Sequence, residues 1–165
     1  MDLWFVAFVG GLVGSIFMDV IEEIMSKVGI QSGVKATHIG RWAHGLSKGK
    51  FYYSDIDKVA PVNNELKIAF VFHYLVGGGL VALGYPVLLY FYNIFSLSLP
   101  IPLAVVYGLL TCVFPWFILM PSIGKGMAGN QMPAQAMPII APVISHLAYG
   151  LGLWLTLFVY SWAIV

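Results

Sequence analysis

Asp19, His73 and His146 are ionisable side chains set inside stretches apolar enough to cross a membrane. Such groups are costly in lipid and face a bundle interior or a water-filled cavity, where they serve ion paths, proton relays or ligand sites. Two imidazoles and one carboxylate are also the set that holds non-haem iron or a catalytic zinc. Two histidines on different helices could instead clamp a haem, with Gly77, Gly78 and Gly79 making room beside the ring. The same three residues would equally serve as a hydrogen-bonded cluster that locks helix packing. Glu23 lies four residues beyond Asp19 and shares its helix face. It forms either a negative mouth or a solvated helix end.

The elements that must position these groups follow from composition. The chain has 165 residues, 60% hydrophobic and 9% charged, with a mean hydropathy of +0.89. Soluble domains carry about 25% charged residues, so most of this surface does not face water. A spanning helix needs about 20 mostly apolar residues, and four stretches qualify: roughly 3–25, 66–95, 101–121 and 138–165. Pro100 and Pro102 force a short turn between the second and third. The expected fold is all-α, a polytopic membrane protein built as a four-helix bundle in one domain, with a long structured first loop over 26–64.

Charge orients that bundle. Lys27, Lys35, Arg41, Lys48, Lys50, Lys58 and Lys67 lie in or beside the first loop, and Lys125 lies in the third. The second loop and both ends carry no Lys or Arg. Loops one and three share a side, which the positive-inside rule makes cytoplasmic, with both termini periplasmic. Counted inward from that side at about 1.5 Å per residue, Asp19, His73 and His146 all lie roughly 10 Å deep. Pro115 and Trp116 of the third span fall at the same level.

The first loop mixes aromatics with basic groups in T-H-I-G-R-W-A-H-G-L-S-K-G-K-F-Y-Y. Trp42, Phe51, Tyr52 and Tyr53 suit the headgroup region, and Lys48 and Lys50 suit lipid phosphates. The sharper reading is a lid that lowers Arg41 and His44 towards the polar layer. A net charge of +1 gives no basic footprint for nucleic acid. The single cysteine, Cys112, rules out a disulfide framework and a zinc cluster. The G-K-G at 124–126 lacks the spacing of a phosphate loop.

Several pieces form an ordered set: Gly40-Arg41-Trp42, His44, Gly49-Lys50-Phe51, His73-Tyr74, P-S-I-G-K-G-M-A from Pro121, Pro133, and H-L-A-Y-G-L-G-L from His146. From about residue 10 to about residue 160 the set resembles a family of small bacterial inner-membrane proteins catalogued as a domain of unknown function. The resemblance implies a four-helix membrane protein and draws attention to Asp19, Arg41, His73 and His146. Two positions depart from the family pattern: Tyr53 stands where relatives often carry histidine, and Met120 where they often carry glutamine.

The sequence therefore reads as a small multi-pass protein of the bacterial inner membrane. Its proton-sensitive polar site near the cytoplasmic face (Asp19, His73, His146, Arg41, His44 and Glu23) would bind or transport a small substrate or ion. A membrane-embedded enzyme using a metal ion or haem, the metal held by Asp19, His73 and His146, is the alternative. A helical scaffold or assembly factor is the third. The expected partners are the lipid bilayer, a small ligand and a second copy in a homo-oligomer.

Overall fold

The computed structural model describes residues 3–91, 101–133 and 137–163, without the side chain of Ile101. Among these residues every regular element is helical. Four helices are long and apolar enough to cross a membrane: α1 (Leu3–Lys27), α3 (Glu65–Phe91), α4 (Pro102–Ser122) and α5 (Met137–Ala163). A shorter helix, α2 (Ala36–Leu46), lies in the first loop. The bounds fall within two residues of the expected spans wherever they can be compared. Residues 92–95, the turn at Pro100 and the last two residues of the expected fourth span lie outside the described residues.

Two of the long helices widen locally. Phe72–Leu80 of α3 and Phe114–Leu119 of α4 are π-helical, a form that is rare and concentrates at functional sites. Each has a local cause. Gly77, Gly78 and Gly79 leave the α3 backbone without side chains to hold its pitch. Pro115 has no N–H for the Thr111 carbonyl one turn back, so the α4 turn is free to open.

The chain divides into two compact units, with boundaries inside each of the four long helices. The span unit comprises Met1–Glu23, Tyr74–Thr111 and Ile144–Val165. Its core holds Tyr85, Tyr149, Leu153 and Leu157, all essentially inaccessible, with Val6, Ala82 and Ala104. Apolar side chains gain nothing by leaving lipid for each other, so helices associate there by close packing at small residues. A Cβ on Gly11 would lie 2.2 Å from the Gly78 carbonyl oxygen, and one on Gly108 2.3 Å from that of His146. One on Gly14 would strike Tyr149. The backbones themselves are in contact.

The loop unit comprises Ile24–His73 and Cys112–Val143. Its core is Trp42, Tyr53, Ile56 and Ile123, with Leu46, Val59, Phe72 and Leu119 packed around it. The residues of G-R-W each have a structural task. Gly40 lets α2 touch the start of α3, where a Cβ would fall 1.9 Å from the Glu65 carbonyl oxygen. Trp42 donates its indole N–H to the Phe51 carbonyl at 3.1 Å and sets its ring edge-on to Phe72, centroids 5.5 Å apart. The motif P-S-I-G-K-G runs beside the segment after Tyr53: the Tyr53 amide donates to the Ser122 carbonyl at 2.7 Å and the Ile56 amide to that of Ile123 at 3.2 Å. Gly124, with φ +79°, passes so close that a Cβ would lie 2.1 Å from the Ser54 oxygen.

Packing of this kind makes a sharp stability prediction. Gly11→Ala forces two backbones apart and should cost about 1–3 kcal/mol, the usual range for overpacking. Gly77→Ala, on the exposed side of the π-helical turn, should be neutral. Unfolding in mixed detergent measures both, and equal effects would contradict backbone contact at Gly11.

Candidate functional site

In the span unit two polar pairs are held among apolar helices. Asp19, half-buried near the end of α1, accepts a hydrogen bond from the Tyr74 hydroxyl, Oη to Oδ2 2.5 Å. That is the length of a charge-assisted O–H···O⁻ bond. His146 of α5 meets Thr111 of α4, Nδ1 to Oγ1 2.7 Å, while Thr111 Oγ1 donates to the Gly108 carbonyl at 2.5 Å. A hydroxyl has one hydrogen to give. With that hydrogen on Gly108, Thr111 must accept from His146, so Nδ1–H is the donor and Nε2 is the basic nitrogen of the neutral ring. Tyr149 completes the polar set by donating to the Gly78 carbonyl at 2.8 Å.

The loop unit holds a second, denser polar network. His38, 2% exposed, accepts from the Lys35 amide at Nδ1, 3.2 Å, as an N3 residue does when it caps a helix start. Its Nε2 therefore carries the hydrogen and faces Asp57 Oδ1 at 3.0 Å. Asp57 is paired in turn with Lys125. Arg41 makes a fork: Nε to Glu65 Oε2 at 2.7 Å, Nη2 to Oε1 at 3.3 Å, and Nη1 to the carbonyls of Val59 at 2.9 Å and Ile56 at 3.4 Å. Glu65 Oε2 also accepts the Val62 amide at 3.2 Å. One guanidinium thus ties α2, the 3-10 turn Ile56–Lys58 and the start of α3 together.

The residues singled out in the sequence take these places. Asp19 and His146 lie in the span unit, each with a neutral hydroxyl neighbour; His73 is half-buried at the end of the loop unit. Glu23 is exposed at the end of α1. Arg41 has its donors on Glu65 and two carbonyls, and His44 is half-buried on α2, its carbonyl accepting from the Ser47 hydroxyl at 2.8 Å. Among the described residues no three His, Cys, Asp or Glu side chains are grouped to hold a metal. Sequence reasoning missed Tyr74, Thr111, His38, Asp57 and Lys125. His38 carried a signal, since it precedes Arg41 by three residues and so shares its helix face.

Burial holds the His38 imidazole below its ordinary 6.5, with Lys125 and Lys35 adding to the effect and Asp57 opposing it. The hydrogen bond from Lys125 holds the Asp57 carboxyl below its ordinary 3.8. Below pH 6.5 the unfolded chain therefore binds a proton that folded His38 refuses, and stability falls as pH falls towards the folded value. Asp57 works in the same direction in stronger acid: its contribution is complete above 3.8 and disappears as pH drops through its folded value. The unfolding midpoint should decline between about pH 7 and about pH 5 in the native chain and flatten in His38→Gln. A midpoint level over that range in both would contradict the assignment.

No curated protein and no solved structure matches the chain. The family described as Protein of unknown function (DUF2938) matches it over residues 8–160, nearly its whole length. The chain belongs to the DUF2938 family.

Proposed function

We propose that this is a small integral protein of a bacterial inner membrane that binds or moves a proton together with a small polar solute or ion. The observation that carries the reading is the Asp19–Tyr74 hydrogen bond of 2.5 Å, made where the apolar run of α1 ends, one turn before Glu22 and Glu23. A carboxylate is expensive in such surroundings, and helices keep one where it exchanges protons or meets a charged ligand. Tyr74 steadies the ionised form with its hydroxyl; taking up a proton removes that charge and weakens the bond. His146 presents Nε2 as its proton acceptor, and His73, on the π-helical turn, is assigned the same exchange chemistry.

By the positive-inside rule the basic residues support a cytoplasmic first loop, residues 26–64, with both termini periplasmic. A reporter fused near Lys48 that reads as external contradicts that sidedness. A helical scaffold is the second reading, because the residues of G-R-W and of P-S-I-G-K-G are spent on contacts inside the loop unit.

Reconstituted vesicles with an internal pH dye separate the two. The native chain should carry proton flux under an imposed membrane potential. Asp19→Asn, which keeps a hydrogen-bonding partner for Tyr74, should insert and fold but lose at least about tenfold of that flux, the loss expected when a proton acceptor is removed. His146→Gln and His73→Gln should lose their share of its pH dependence. Native vesicles no leakier than empty ones would leave the scaffold as the reading.

A further inference from the structure

The turn after α2 is built to present two aromatic rings rather than bury them. The Lys50 amide donates to the Gly45 carbonyl at 2.9 Å and the Gly49 amide to that of Leu46 at 3.0 Å. Gly49 has φ +74°. This is a Schellman closure, which needs a left-handed residue and fixes the exit of the chain. The next residues are pinned from below, where the Phe51 carbonyl receives Trp42 and Tyr53 is buried. Between these fixed points Phe51 is 67% exposed and Tyr52 63%.

The charge around these rings has one sign. Between Glu23 and Asp55 the sequence has no acidic side chain. Arg41 in that interval is matched by Glu65, whereas Lys48 and Lys50 are exposed beside the rings. Lys50 lies over the Tyr53 ring at 4.3 Å, a contact that leaves its charge in place. The next carboxylates along the chain are engaged elsewhere, Asp55 with Lys58 and Asp57 with Lys125 and His38.

We infer that Lys48, Lys50, Phe51 and Tyr52 form a docking surface for anionic phospholipid, with the lysines on headgroup phosphates and the rings at the acyl boundary. Aromatic rings and lysines are the side chains that settle at that boundary. A lysine near an anionic surface is worth about fivefold in partition, so the pair supplies roughly 25-fold. An acidic protein would meet the lysines but offers no match for two bare rings. A chain with four helices able to cross a membrane has the bilayer itself within reach.

The inference rests on those helices being membrane spans, and its test separates the two claims. Tyr52→Cys carrying a nitroxide would be placed in the full chain in nanodiscs of phosphatidylcholine with and without phosphatidylglycerol. Cys112 is 1% exposed and should not react. In the anionic discs the label should be relaxed by lipid-dissolved oxygen and shielded from a water-soluble nickel chelate. Removing phosphatidylglycerol, or adding Lys48→Glu and Lys50→Glu, should return it to water, while a label at Asn63 stays aqueous throughout. A label at residue 52 that stays aqueous in inserted protein overturns the docking surface alone. Shielding that ignores lipid charge and persists in detergent assigns the patch to a protein contact and also overturns it. Failure of the chain to insert overturns the membrane reading and the docking surface with it.

Discussion

A polar group buried among apolar helices has no water to turn to, so it must find its partner within the chain. That constraint explains contacts that would otherwise look incidental. Pro142 sits inside α5 and cannot supply the N–H that the Pro138 carbonyl would normally receive. Trp116 supplies it instead, its indole N–H donating to that carbonyl at 3.1 Å. Tyr149 serves the Gly78 carbonyl on the π-helical turn of α3, and Tyr107 that of Val81. The break at Pro142 and the π turn of α3 are each met by a side chain from a neighbouring helix. Each such bond also fixes which helix meets which, and at what height.

Against that background the Asp19–Tyr74 and His146–Thr111 pairs differ in kind. A neutral hydroxyl on a carbonyl completes a backbone; here a hydroxyl meets a carboxylate or an imidazole instead. The charged networks of the loop unit show the other solution. Arg41 and Glu65 neutralise each other and close three segments around one fork, and His38, Asp57 and Lys125 stitch α2 to the segments that follow it. These are the bonds of a fixed platform.

The four long helices were legible in the sequence because apolar length is a strong signal in lipid. Gly11, Gly14 and Gly78 sit at close backbone contacts, the use that small residues find between apolar helices. What could not be read was the π-helical opening of α3 and α4, because the glycines and Pro115 permit a wider turn without requiring one. Hydroxyl partners were equally hidden. Tyr74 and Thr111 are unremarkable in an apolar run until the fold brings them to Asp19 and His146. The fork of Arg41 on Glu65 depends on α2 landing on the start of α3, which Gly40 permits and which no local pattern around Arg41 announces. The spacing of His38 from Arg41 shows a shared helix face, but not the Asp57 that the fold brings to its Nε2.

Proton exchange at Asp19 while it is bonded to Tyr74 would show itself in one carboxyl group. Infrared difference spectra of the reconstituted protein, recorded as pH is lowered, observe that group directly. The account predicts a carbonyl stretch of a protonated carboxylic acid that grows in as the carboxylate bands fall, is absent in Asp19→Asn, and shifts in Tyr74→Phe. A spectrum in which no Asp19 band changes between alkaline and acidic buffer would contradict it, and would make the pair a fixed element of helix packing.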